Sequence, residues 1–136
     1  MKKIYILTVI IIFSLAAIFL LFLTDENTVN KRFLLSFGIK VAEKPYLVEE
    51  IFIPDEFDDY YNSYNSLQIE SGLTLSPHKG KTGIRYTYKV LNFEKDVDSA
   101  VFANVITVDS KPVAGDINNP AIDGFILPLS YLRLKK

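Results

Sequence analysis

The chain begins with an apolar run at residues 4–23, which contains no charged residue and only the aliphatic hydroxyls of Thr8 and Ser14. A surface helix would keep one polar stripe, whereas this run is apolar on every face. As a helix it would be about 30 Å long at about 1.5 Å per residue, which matches the hydrocarbon core of a bilayer. The pattern therefore predicts a transmembrane signal-anchor over residues 1–23 that binds the membrane through residues 4–23.

The same segment has a second interpretation, as a signal peptide that is cleaved. Lys2 and Lys3 form a basic start, and residues 14–16 are a small-x-small triplet. Cleavage there would leave an apolar tail, and the apolar region of a signal peptide usually has only about 7 to 15 residues, so we favour the uncleaved anchor. Because the two lysines precede the span and an acidic pair follows it, the positive-inside rule predicts a cytoplasmic N-terminus and an extracytoplasmic domain in the cell membrane.

The pattern next indicates a short helix and a β-rich region. In residues 24–38 a polar start precedes Phe33, Leu34 and Phe37, and Gly38 ends the pattern, which predicts a juxtamembrane helix. Residues 39–42 and 46–53 are β-rich.

The clearest helix of the domain is predicted at residues 55–71. Pro54 is tolerated at a helix start, acidic residues complement its positive end, and Gly72 is suited to the C-terminal cap. On a helical wheel, one arc of about 120° holds the residues that we expect to be buried. These are Phe57, Tyr60, Tyr61, Tyr64, Leu67 and Gln68.

After residue 80 the period changes to two, with Ile84, Tyr86, Tyr88 and Val90 on one face of a half-buried strand. Residues 100–108 and 112–117 predict a hairpin, and 125–127 a short edge strand. One long helix followed by successive strands, without βαβ alternation, predicts an α+β domain at residues 39–136. We expect the long helix to cover one face of an antiparallel sheet of about four strands.

Composition excludes several classes of protein. Setting aside Lys2 and Lys3 leaves 13 basic and 16 acidic side chains, a net charge near -3, so the basic face of a nucleic-acid-binding protein is not expected. The chain has no cysteine, which excludes disulfides, thiolate catalysis and cysteine-ligated zinc.

Several short segments, in this order, carry a family resemblance. They are residues 53–58, residues 64–68, Gly80-Lys81 leading to residues 85–88, Gly115-Asp116 and residues 123–125. With these segments the chain resembles the bacterial domain-of-unknown-function 4830 family over about residues 39–129. Ala114-Gly115 stands where that family would have two glycines. The resemblance implies a small domain that follows a signal or anchor segment, with no activity or catalytic residue to transfer.

The candidates for chemistry are few. His78 is the only histidine, so it cannot build a multi-histidine metal site, and no GxGxxG, P-loop, GxSxG or HExxH motif occurs. We therefore assign no catalytic residue, metal or cofactor. The ligand candidates are the aromatic stripe Tyr60, Tyr61 and Tyr64, which core packing also explains, and the acidic residues Asp116 and Asp123, which also suit Asx-rich turns.

These observations favour a noncatalytic binding or regulatory module over an enzyme. Its sheet face or edge would contact an extracytoplasmic protein or an envelope polymer. Two alternatives stay open. One is an envelope hydrolase that uses carboxylates such as Asp116 and Asp123, and the other is a structural module that assembles with copies of itself.

Overall fold

The computed structural model describes residues 1–23, 25–94, 97 and 99–136, with only the backbone described at 19–23. The order of elements in the described chain is α1 (Lys2–Leu23), α2 (Glu26–Ser36), β1 (Leu47–Phe52), α3 (Asp59–Glu70), a one-turn 3₁₀ helix (Ser76–His78), β2 (Thr82–Lys89), β3 (Phe102–Val108), β4 (Lys111–Asn119), β5 (Phe125–Leu127) and α4 (Tyr131–Leu134).

The N-terminal segment is helical, and α1 has 22 residues. Among the residues whose side chains are described, no helix is both long enough and apolar enough to cross a membrane. The span predicted at residues 4–23 includes side chains at 19–23 that lie outside the described set.

The predicted α+β class and antiparallel sheet are confirmed. Five strands pair in the order β1-β2-β3-β4-β5, and every neighbouring pair is antiparallel. The sheet therefore has one strand more than the four expected, because β1 pairs with β2 although α3 separates them along the chain. Asp109 and Ser110 turn β3 into β4 with φ angles of 51° and 62°, the left-handed conformations of a tight hairpin turn.

The larger core lies between α2 and one face of the sheet. As the twofold pattern predicted, Tyr86, Tyr88 and Val90 pack on this face, where they meet Leu34 of α2 and Phe37, the residue after that helix. Ile84, also predicted on this face, is half-buried and is not part of the cluster. The Tyr88 hydroxyl donates to Asn27 Oδ1 at 2.9 Å, so the polar end of this buried ring is satisfied.

The opposite face of the sheet carries α3, as expected of the long helix, and the cover of the other face by α2 was not predicted. Ile53, Leu75 and Ile106 form a second core cluster, against which Phe57 and Tyr61 pack. The long β-strands have apolar residues on both faces near this end of the sheet, and each face therefore needs its own cover.

Helix α3 begins at Asp59, four residues later than predicted. Asp58 is the N-cap: it has an extended backbone, and its carboxylate accepts a hydrogen bond from the Tyr61 N–H at 2.9 Å. This cap, rather than Pro54, fixes the start of the helix. Gly72 follows the helix with φ of 76°, as the predicted stop requires.

Candidate functional site

A row of polar side chains crosses the α3 face of the sheet from β1 to β4. The antiparallel registers place Glu49 opposite Arg85, Thr87 opposite Asn104, and Asn104 opposite Asp116. Alternation along a strand turns all of these side chains to one face. These residues are far apart in sequence, but the strand registers bring them together in one continuous row. This row, hereafter the polar row, consists of Glu49, Arg85, Thr87, Asn104 and Asp116.

Asp116 is the centre of the polar row and is only 3% exposed. Its Oδ2 accepts a hydrogen bond from the Tyr64 hydroxyl at 2.6 Å, and its Oδ1 accepts from Asn118 Nδ2 at 2.9 Å. Asn104 Nδ2 lies 3.2 and 3.3 Å from the two oxygens. Thr87 in turn donates to Asn104 Oδ1 at 2.7 Å, which orients that amide. The buried carboxylate is thus held by three donors from three elements.

Burial dominates the ionisation of this centre. Desolvation raises the pKa of Asp116, and the bonds from Tyr64, Asn118 and Asn104 oppose the rise. The pKa of Tyr64 is raised well above its usual value, first by burial and then by the adjacent Asp116 charge. The tyrosine therefore keeps its proton and acts as a hydrogen-bond donor to Asp116.

Arg85 and Glu49 extend the polar row towards the edge of the sheet. Arg85 Nη2 and Nε donate to the same Glu49 oxygen at 2.6 and 3.1 Å. The bond to Glu49 raises the pKa of Arg85. Both side chains are about two-fifths exposed, so solvent reaches this pair but not Asp116.

Residues of the polar row line two adjoining cavities. The smaller cavity, of about 130 Å³, lies between α3 and the sheet, and Asp116, Tyr60, Tyr61 and Tyr64 are among its lining residues. The larger cavity, of about 340 Å³, is an open depression over the part of the sheet that α3 leaves uncovered. Arg85, Asn104 and Asn118 line both.

An aromatic pair forms one wall of the open depression. The rings of Tyr46 and Phe102 lie 5.3 Å apart at an angle of 43°, and Tyr46 is 75% exposed. Thr87, Asn104 and Asn118 line the same depression. The surface thus combines flat apolar rings with amide and hydroxyl groups that are already fixed by bonds to one another.

The structure brings four of the five predicted ligand candidates to one cavity and leaves one outside. Tyr60, Tyr61, Tyr64 and Asp116 line the smaller cavity, and Tyr64 bonds directly to Asp116. Tyr60 is nevertheless 67% exposed, so the aromatic stripe is not uniformly buried. Asp123 lies on an exposed turn before β5 and lines neither cavity.

Sequence reasoning missed Arg85 and Asn104. Arg85 belongs to no motif, and nothing in the sequence links it to Asn104 until the strand register is known. An asparagine in the middle of a strand is the signal that could have identified Asn104, because asparagine is uncommon in strands.

The arrangement suits binding better than acid-base chemistry. Three donors occupy both oxygens of Asp116, and Tyr64 retains its proton, so neither group is free to exchange a proton with a substrate. No cluster of three or more acidic or histidine side chains that could hold a metal ion occurs among the described residues.

Comparisons of this chain with models of protein families, with curated proteins and with solved structures find no match. The resemblance to the domain-of-unknown-function 4830 family therefore stays a prediction from the sequence.

Proposed function

We propose that this protein is a membrane-anchored, noncatalytic binding module whose domain lies on the extracytoplasmic side. The anchor is α1: its 22 residues correspond to about 33 Å of helix, and every side chain from Ile4 to Ile18 is exposed. Exposed apolar side chains on all faces of a helix favour lipid as its surroundings. The lysines at residues 2 and 3 favour a cytoplasmic N-terminus.

The absence of cysteine from the sequence allows a direct test of this topology. Single cysteines are introduced at two exposed positions, Lys2→Cys and Asp123→Cys, and cells are treated with a membrane-impermeant maleimide. We expect Asp123→Cys to react in intact cells and Lys2→Cys to react only after permeabilisation. The opposite result would place the domain in the cytoplasm, and release of both variants by alkaline carbonate would contradict the anchor.

We propose further that the open depression binds a glycan chain of the cell envelope. The observation that carries this proposal is the aromatic pair Tyr46 and Phe102 beside the fixed amides Asn104 and Asn118. Sugar rings have apolar C–H faces that stack on aromatic rings, and their hydroxyls pair with amides and carboxylates. The side chains of the polar row are already held by bonds to one another. Binding a ligand would therefore cost little of the conformational entropy of these side chains.

The test is a binding titration with purified glycan strands of the cell wall, using the full chain in detergent micelles. We expect Tyr46→Ala to weaken binding by about two- to thirteenfold, since a lost aromatic contact is worth about 0.5 to 1.5 kcal/mol. Tyr60→Ala is the matched control, because Tyr60 is also exposed but does not line the depression. Equal effects of the two variants would contradict the assignment.

The same titration addresses the hydrolase alternative. A hydrolase needs two reactive carboxylates that flank the bond to be cleaved, whereas Asp116 is buried and fully bonded and Asp123 lies outside both cavities. We expect the glycan to be recovered uncleaved after prolonged incubation. Cleavage that is lost in Asp116→Asn or Asp123→Asn would show that the protein is an enzyme rather than a noncatalytic binding module.

A further inference from the structure

Strand β1 is an unpaired edge of the sheet. It is the first strand in the order and has β2 as its one neighbour. The Ile53 N–H donates to Lys81 O on the β2 side, at 2.9 Å. Since successive residues of a strand direct their backbone groups to alternate sides, Val48, Glu50 and Phe52 direct theirs away from the sheet. Within the described chain, no other backbone group bonds to them.

The side chains along this edge are unusually apolar for a free strand. Val48 is 51% exposed and Phe52 is 57% exposed, and both share one face with the exposed Glu50. Free edges are usually blunted by lysine or proline, and β1 contains neither. Backbone donors and acceptors therefore run beside an apolar-acidic-apolar row of side chains.

We propose that β1 pairs with an extended segment of another protein, which extends the sheet by one strand. In this segment a basic residue is flanked by apolar residues two positions away on each side. Such a segment would pair its backbone with Val48, Glu50 and Phe52 and place its cation opposite Glu50. Charge complementarity selects this occupant over a second copy of the chain. Antiparallel pairing of two β1 strands about their centre sets Glu49 opposite Glu49 or Glu50 opposite Glu50, and like charges in direct opposition are unfavourable.

The surface is separate from the proposed glycan site. Glu49 points to the face of the polar row and is held by Arg85, whereas Glu50 is on the other face and exposed. A variant at Glu50 therefore tests the edge without changing the depression, and the two proposals can fail independently.

The probe is a synthetic peptide of sequence threonine-threonine-valine-threonine-lysine-threonine-valine-threonine-threonine, with fluorescein on its N-terminus and an amidated C-terminus. A second peptide has glutamate in place of the lysine, and a third keeps the lysine but has N-methyl groups on both valine amides. Fluorescence anisotropy measures the binding of each to the full chain in detergent micelles.

We expect the lysine peptide to bind about three- to tenfold more tightly than the glutamate peptide, from the usual worth of cross-strand charge pairs. In Glu50→Lys the preference should reverse, whereas Glu70→Lys, an equal charge change at an exposed site of α3, should leave it unchanged. The N-methylated peptide should lose binding, because two backbone donors are removed.

Three results would overturn the proposal. The first is no saturable binding of the lysine peptide at millimolar concentration. The second is the same response of Glu50→Lys and Glu70→Lys, which would reduce the effect to net charge. The third is a dimer of the wild-type chain in sedimentation with the Glu50 amide protected from hydrogen exchange, which would assign the edge to a second copy.

Discussion

The hydrogen bond from Tyr64 to Asp116 gives the sharpest test of the polar row. Tyr64→Phe removes one hydroxyl, keeps the ring, and leaves a buried carboxylate with only its two asparagine donors. At 2.6 Å the bond is short and charge-assisted, and bonds of this kind contribute about 1.5 to 3 kcal/mol. We therefore expect the free energy of unfolding at neutral pH to fall by about 2 kcal/mol, which lowers the Tm by about 8 °C for a domain of this size.

The loss should depend on pH, with a sign that follows from the pKa of Asp116. Burial raises this pKa above the ordinary value of 3.8, so wild-type stability falls as pH rises through the folded pKa. Because the Tyr64 hydroxyl stabilises the charged carboxylate, its removal raises the folded pKa further. The cost of Tyr64→Phe should thus be about 2 kcal/mol at neutral pH and about 1 kcal/mol once Asp116 is protonated.

Urea unfolding of the full chain in a mild detergent, followed by far-ultraviolet circular dichroism at several pH values, measures this difference. Tyr61→Phe is the matched control: it lies on the same helix, and no hydrogen bond of its hydroxyl is found in the described part of the chain. Equal costs for the two variants, or a Tyr64→Phe cost that does not change with pH, would refute the role assigned to Asp116.

Four further variants test separate contacts by the same unfolding assay. Gly115→Ala should cost about 1 to 3 kcal/mol, because an added Cβ would meet the backbone oxygen of the neighbouring strand and overpack the site; an unchanged midpoint would contradict this packing. Glu49→Gln should cost less than about 1 kcal/mol, since its ion pair with Arg85 is partly exposed, and a larger loss would show that we underestimate this pair. Asp58→Ala should cost about 1 kcal/mol and Asp25→Ala less, because the two N-cap bonds measure 2.9 and 3.4 Å; the reverse order would contradict the cap geometry.

Local patterns were sufficient to predict most elements of the domain. The twofold alternation in β2 identified both the strand and its buried face, because Tyr86, Tyr88 and Val90 must leave water together. The turn at Asp109 and Ser110 was likewise local, since both residues tolerate the left-handed backbone it requires.

The polar row could not be predicted, because its residues share a face only in the particular register in which the strands pair. Arg85, Asn104 and Asp116 share a face across three strands, and a shift of one residue in either pairing would place them on opposite faces. A periodic pattern also cannot tell how many helices will cover a sheet. The cover of the second face by α2 was therefore not predicted.

The aromatic stripe of α3 shows how one sequence feature divides into different roles. Tyr61 packs in the apolar cluster, Tyr64 donates to Asp116, and Tyr60 remains exposed. One turn beyond Tyr64, Gln68 accepts a hydrogen bond from the Gly115 N–H at 2.8 Å, at a point of β4 that β5 is too short to pair. Polar bonds to two adjacent residues of β4 therefore fix the position of α3. Because one of those residues is Asp116, the contact that positions the helix also orients the carboxylate at the centre of the polar row.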